Sequence, residues 1–147
     1  MKEDGLWESY YANGQLDTRA NYKDGLEVGL WERYYENGQL MCKGHYKDGI
    51  KKGFWERYHG NGQLHYKENY KNGKNIDDHF ERYYENGQLM GKGNIKDGKA
   101  EGFWETYYEN GRVKSKGKYQ DNKPDGLWEY YKENGQLEKT ETYKDGI

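Results

Sequence analysis

The apolar positions of this chain fall in short aromatic clusters set at a fixed stride. From Gly29 to Leu40 the residues run GLWERYYENGQL, and near copies begin at Gly5, Gly53, Asp78, Gly102 and Gly126. The units are Gly5–Val28, Gly29–Lys52, Gly53–Asp77, Asp78–Glu101, Gly102–Asp125 and Gly126–Ile147. Four of them have 24 residues, the third 25 and the last 22. A stride of this length marks an array in which each unit is one supersecondary motif that buries its apolar face on its neighbours.

Each unit reads as a β-hairpin. Asn37-Gly38 is the strongest short-range signal, because a type I′ turn needs φ > 0 at both loop residues. It recurs as Asn13-Gly14, Asn61-Gly62, Asn86-Gly87, Asn110-Gly111 and Asn134-Gly135. Glycine density and β-favouring aromatics disfavour helix. A second turn signal closes each unit: Asp24-Gly25, Asp48-Gly49, Asn72-Gly73, Asp97-Gly98 and Asp145-Gly146, with Asp121-Asn122 as the variant. Two strands per unit predict roughly twelve strands in an all-β antiparallel meander, on the order of 55 Å long at ~4.8 Å per strand.

A two-residue turn pairs Tyr35 with Leu40, Arg33 with Cys42, Glu32 with Lys43 and Trp31 with Gly44. The charge match repeats as Glu8–Arg19, Glu56–Lys67, Glu81–Lys92 and Glu105–Lys116, and only Glu129, opposite Thr140, breaks it. Opposite charges across a ladder contribute roughly 0.2–1 kcal/mol each, which fixes register more than stability. The indole of Trp31 is expected to lie over Gly44, which has no side chain. A bulged three-residue turn is the alternative and would swap the faces of one strand. On the charge-matched register Trp31, Arg33, Tyr35, Leu40, Gly44 and Tyr46 share one face. Leu30, Glu32, Tyr34, Met41, Lys43 and His45 share the other.

The pattern G-[LF]-W-E-x-Y-Y-E-N-G-Q-L, followed by K-G-x-Y-K-D-G, resembles the variant MORN repeat, and most closely the bacterial YwqK-like antitoxins. The likeness spans the chain, with tryptophan, Tyr-Tyr, Asn-Gly and Lys-Asp-Gly in phase. It implies six tandem MORN-like hairpins in a curved, twisted, single-layer sheet, one repeat domain over residues 1–147. It also implies a partner-binding role, that of neutralising a toxin encoded nearby. The third repeat departs from the pattern with His59-Gly60 and an extra residue near Ile76-Asp77, and the fourth begins Asp78-His79-Phe80.

Composition adds limits. Only 32% of the residues are apolar and 34% are charged, which by itself suggests disorder. Seventeen Tyr and five Trp reverse that reading, since each buried aromatic removes ~150–250 Å² from water. The net charge of -2 gives no general pull toward nucleic acid or an anionic membrane, so direct nucleic-acid binding is not expected. Cys42 is alone and no Cys/His cluster suggests a metal or cofactor. There is no membrane-length apolar run, and Met1-Lys2-Glu3-Asp4 does not read as a signal peptide. A cytoplasmic chain is expected, with a removed leader left open.

No enzyme is expected. The glutamates Glu8, Glu32, Glu56, Glu81, Glu105 and Glu129 share one environment, whereas acid–base catalysis needs carboxyls in contrasting ones. The column Trp7, Trp31, Trp55, Phe80, Trp104 and Trp128 is expected to form the packing spine, together with Tyr10, Tyr34, Tyr58, Tyr83, Tyr107 and Tyr131. The next column drifts through Tyr11, Tyr35, His59, Tyr84, Tyr108 and Lys132, beside Arg33, Arg57 and Arg82. Arg33, Tyr35, Arg57, His59, Arg82, Tyr84 and Tyr108 are therefore the candidate contacts for one protein partner, since Arg and Tyr concentrate at interfaces. The leading function is a stoichiometric inhibitor or antitoxin, aimed at a toxin or a defence nuclease. A lipid- or scaffold-binding module at a membrane is the alternative. The chain is expected to be a monomer or an edge-paired dimer.

Overall fold

The computed structural model describes residues 4–144, and the regular structure in that span is all β-strand. The chain divides into two compact units, residues 1–76 and 77–147, and the division falls where the third repeat carries its extra residue. The first unit holds β1 (Gly5–Tyr10), β2 (Leu16–Lys23), the two-residue β3 (Leu26–Glu27), β4 (Gly29–Tyr34), β5 (Leu40–Lys47), β6 (Ile50–Tyr58), β7 (Leu64–Lys71) and the two-residue β8 (Lys74–Asn75). Its long strands lie in chain order as an antiparallel meander, with β3 paired back on β2 and β8 on β7. The second unit holds β9 (His79–Tyr83), β10 (Leu89–Lys96), β11 (Lys99–Tyr107), β12 (Val113–Gln120), β13 (Lys123–Tyr131) and β14 (Leu137–Tyr143), again an antiparallel meander in chain order. Six hairpins thus stand in tandem, as the repeats predict.

The first turn signal does not form the two-residue turn expected of it. At Asn37-Gly38 only the glycine takes a positive φ, of 88°. Tyr35 N–H donates to the Gln39 carbonyl at 2.8 Å and Gly38 N–H to the Tyr35 carbonyl at 3.0 Å, so the loop is Glu36-Asn37-Gly38 rather than a two-residue type I′ turn. The type I′ geometry lies instead at Asp48-Gly49, with φ of 50° and 79°. It recurs at Asp24-Gly25, Asn72-Gly73, Asp97-Gly98 and Asp121-Asn122, while Asp145-Gly146 lies outside the described residues. The third loop residue is absorbed by a bulge: Arg33 pairs with Cys42, but Tyr34 pairs with Leu40.

Because the bulge sits beside the loop, the body of the strands keeps the charge-matched register. One row of the first unit reads Glu8, Arg19, Glu32, Lys43, Glu56, Lys67 from strand to strand. The matching row of the second reads Glu81, Lys92, Glu105, Lys116, Glu129, Thr140. Among these register partners of the described residues, only Arg19 and Glu8 reach ion-pair distance, 3.0 Å.

Within each unit, consecutive hairpins are joined by recurring links of three kinds. Gly44 is covered by Trp55 of the following repeat, not by its own Trp31, and a methyl group at Gly44 would overlap that indole. Gly93 under Trp104 and Gly117 under Trp128 repeat the arrangement. Each of these indoles also donates its N–H to a backbone carbonyl of the preceding repeat: Trp55 to His45 at 3.3 Å, Trp104 to Asn94 and Trp128 to Lys118 at 3.0 Å. The second link is the tyrosine hydroxyl, which reaches forward: Tyr11 to the Tyr34 carbonyl, 2.5 Å, and Tyr35 to the Tyr58 carbonyl, 2.7 Å. The third is the loop asparagine, whose amide donates forward, Asn13 to Glu36 and Asn37 to Gly60, at 2.9 and 2.8 Å. The same asparagine accepts Gln39 N–H at 2.9 Å and so fixes its own loop.

This link pattern replaces a conventional core. Ala20, Trp55 and Trp128 are the buried hydrophobic residues of the described chain, and stability comes from contacts between neighbouring repeats.

Candidate functional site

The Trp-bearing face of the first unit carries a groove of about 250 Å³. Its walls are Trp31, Tyr46 and Trp55. The two indoles are 5.6 Å apart and tilted, and Tyr46 meets Trp55 edge-on at 5.0 Å. Such offset and edge-on pairs contribute ~0.5–1.5 kcal/mol each beyond the area they bury. Lys51 places its ammonium 4.8 Å from the Trp55 ring and 4.9 Å from that of Tyr70.

One row of residues across the strands sets the floor. Arg33 on β4, Cys42 on β5, Arg57 on β6 and Tyr66 on β7 stand in register, so the two guanidinium groups flank the thiol. Burial pushes the Cys42 thiol up, against the opposite pull of Arg57 and Arg33, and it stays protonated at neutral pH. Arg33 Nε lies 3.4 Å from Asp17 Oδ1. Among the described residues no carboxylate forms an ion pair with Arg57.

The other residues singled out from the sequence sit as follows. Arg82 belongs to the second unit, its guanidinium 5.1 Å from the Phe80 ring. Tyr35, Tyr84 and Tyr108 donate to the carbonyls of Tyr58, Tyr107 and Tyr131 at 2.7, 2.7 and 2.6 Å, so each is a link between repeats. His59, which replaces the linking tyrosine in the third repeat, stacks on His65 at 4.2 Å. Phe80 packs on Trp104 at 5.0 Å, and Trp7 meets Tyr22 edge-on at 6.4 Å. Trp128 packs against Tyr119 at 4.9 Å.

The tyrosine column grouped with the tryptophans from the sequence is on the opposite face. Tyr34, Tyr58, Tyr83, Tyr107 and Tyr131 each donate a hydroxyl to the glutamate two residues earlier, a same-face neighbour on a strand. Burial, and then the adjoining Glu56 or Glu105, push Tyr58 and Tyr107 up to about 12. The Tyr83 hydroxyl and then His79 hold Glu81 below the usual carboxylate range. The partners of the indoles are instead Tyr22, Tyr46, Tyr70 and Tyr119, from the K-G-x-Y-K-D-G segment and its variants. On the tyrosine–glutamate face apolar side chains stand open to solvent, Leu6 and Phe54 in the first unit and Phe103 in the second, exposed by 61%, 65% and 68%.

Lys51, Tyr66 and Glu68 are groove residues that the sequence did not single out, and Lys51 is the cation among them. Its place is held by Glu27, Lys51, Asn75, Ala100 and Pro124 in successive repeats, and that drift was the available signal. Among the described residues no group of three His, Cys, Asp or Glu is placed to hold a metal ion, and no helix is long and apolar enough to cross a membrane.

The family model described as MORN repeat variant matches residues 3–24, 27–48, 52–72, 79–97, 100–121 and 124–145. The chain belongs to the MORN repeat variant family. Each of the six matches takes in one hairpin of the MORN array, from the tryptophan or phenylalanine strand to the end of the strand that follows. No curated protein matches the chain. MORN repeat proteins are generally binding or scaffold modules, and the groove of the first unit is a surface of the kind such a module offers.

Proposed function

We propose that this MORN array is a stoichiometric inhibitor or antitoxin that binds one protein target through the Trp-bearing face. The observation that carries the reading is the row Arg33–Cys42–Arg57 beneath Trp31 and Trp55. Aromatic rings and guanidinium groups set together are the side chains that dominate protein–protein hot spots. Bidentate Arg contacts with a carboxylate add geometric specificity. The resemblance to the YwqK-like antitoxins supports a toxin as the target, and a defence nuclease fits the same surface. Such a protein works in the cytoplasm, as a monomer or an edge-paired dimer.

The test is affinity capture from lysate of the source cells, with and without nuclease, using the native chain and an Arg33→Ala/Arg57→Ala/Arg82→Ala variant. One near-stoichiometric, nuclease-resistant protein, weakened in the triple variant, is the expected result. A complex that needs nucleic acid, or no enriched protein, ends the inhibitor reading.

A second reading, a lipid- or scaffold-binding role at a membrane, is favoured by the exposed Leu6, Leu30 and Phe54 column of the first unit and by Phe103 and Leu127 in the second. Exposed apolar columns of this kind mark interaction sites more often than solvated faces. Flotation with anionic vesicles reads it directly, and an unbound chain excludes it.

A further inference from the structure

We propose that the groove between Trp31 and Trp55 receives an acidic segment of a protein partner, with a single carboxylate seated on Arg57 and its neighbouring side chain packed on the indoles. This inference rests on the protein-binding reading and names the chemistry of the partner at that site.

Size decides first between a small ligand and a side chain. A volume of about 250 Å³ lies below the ~300–1,000 Å³ of cofactor and drug-sized pockets, and suits one or two side chains of a larger molecule. Charge decides next. Arg33, Lys51 and Arg57 line the groove with Glu68, while Glu56, which also borders it, turns its carboxylate to Tyr58 on the opposite face. Both carboxylates are engaged: Glu56 accepts the Tyr58 hydroxyl, and Glu68 accepts the Asn75 amide at 2.8 Å. Two of the cations are engaged as well, Arg33 by Asp17 and Lys51 by the faces of Trp55 and Tyr70. Arg57 is the guanidinium whose charge the groove leaves for a partner.

The fork geometry of a guanidinium matches a planar carboxylate with two parallel hydrogen bonds. A partner side chain packed on the aromatic walls would cover one side of that pair, which strengthens it relative to a bare surface contact. A single-stranded nucleic acid would also find rings to stack on. Such binders, however, track the backbone with an extended basic groove, whereas here three cations sit close together with Glu68 beside them. An acidic peptide needs only one anchored charge and one apolar contact.

The experiment uses the full chain and four probes: a random Glu–Tyr copolymer, poly-glutamate, poly-lysine and single-stranded oligo-thymidine. Binding is followed by quenching of tryptophan fluorescence at low and at moderate salt. The copolymer is expected to quench saturably, and poly-glutamate more weakly because it lacks the ring. Arg57→Glu should weaken the copolymer by about tenfold or more, the size expected when a charge-assisted pair is lost. Arg57→Lys, which keeps the charge and loses the fork, should fall between. Lys118→Glu makes the same change in net charge in the other unit and should leave copolymer affinity within about twofold, since exposed charges contribute little. Thermal melts show whether each variant is folded.

Copolymer binding that ignores Arg57→Glu overturns the proposal, as does failure of the copolymer to bind. Preference for oligo-thymidine assigns the groove to nucleic acid and overturns it too. These outcomes are separable from those of the capture experiment. A stoichiometric protein complex that survives Arg57→Glu leaves the inhibitor reading intact and removes this groove from it.

Discussion

At the residue scale the strongest constraint is the absence of a side chain at Gly44. The rigid body of the Trp55 indole fills the space a methyl group would need, and neither strand nor ring can yield without breaking the Trp55 N–H bond to the His45 carbonyl. Gly44→Ala is expected to cost ~1–3 kcal/mol, an overpacking penalty, with the tryptophan emission shifting to the red as the ring is pushed into water. Gly60→Ala is the control, because nothing lies within 4 Å of its added carbon, and it should stay within about 0.5 kcal/mol of the parent in urea unfolding. That a ring would lie over this glycine was legible in the sequence, but its owner was not. Trp31 and Trp55 occupy the same place in successive repeats, and pairing rules alone cannot separate a ring that folds within its hairpin from one that reaches back. The first repeat has Ala20 at this place, and it is buried, 1% exposed.

The tyrosine–glutamate pairs on the other face make a second residue-scale prediction. Tyr34, Tyr58, Tyr83 and Tyr107 are raised above the ordinary tyrosine value of 10.0, Tyr58 and Tyr107 to about 12. Below pH 10 both folded and unfolded chains keep these phenol protons, so the contribution to stability is fully present there. Between pH 10 and about 12 the unfolded chain loses protons that the folded chain retains, and stability falls as pH rises. Urea midpoints measured at about pH 8 and about pH 11 should drop, with tyrosinate absorbance rising steeply at the unfolding transition. An unchanged midpoint would mean that the hydroxyls are already solvated.

At the element scale the unit of construction is the three-residue loop with its asparagine. Asn37 holds its own loop through the Gln39 N–H and ties the next one through the Gly60 carbonyl. Asn37→Asp keeps the first bond and loses the second, whereas Asn37→Ala loses both. The expected losses are about 1 and about 2 kcal/mol, at the usual ~1 kcal/mol per bond, read from chemical unfolding. Equal losses would show that the forward bond contributes nothing. Asn-Gly and Asp-Gly look alike as turn signals, which is why the type I′ assignment fell on the wrong one. The difference is physical: at Asp48-Gly49 both residues adopt positive φ, while at Asn37-Gly38 the asparagine side chain bonds forward and leaves only glycine there. The groove was half legible for a related reason. Arg33 and Arg57 follow from the strand register that the charges dictate, but Lys51 follows from a position that each repeat fills differently.

At the scale of the whole molecule, stability is a sum over neighbours. Each unit has three hairpins, the number at which repeat arrays become stable. Residues 1–76 and 77–147, made separately, are each expected to fold, with a strand-type circular dichroism spectrum and a cooperative melt. A fragment that stays unfolded would show that the division in the contacts is not a division in stability. Such arrays unfold by local steps, so ligands bound to the first unit should raise its melting temperature more than that of the second.

The forward-pointing bonds carry one more consequence. Tyr11 and Tyr35 each address a carbonyl 23 residues ahead, and the same span separates Asn13 and Asn37 from theirs. A constant address makes a repeat indifferent to its ordinal position: excising residues 29–52 presents Tyr11 with the Tyr58 carbonyl at that same distance along the chain. The sixth repeat has Lys132 in the column of the addressing tyrosine. Gene rearrangements that add or drop whole repeats within a unit would therefore change the length of the binding surface while keeping its fold.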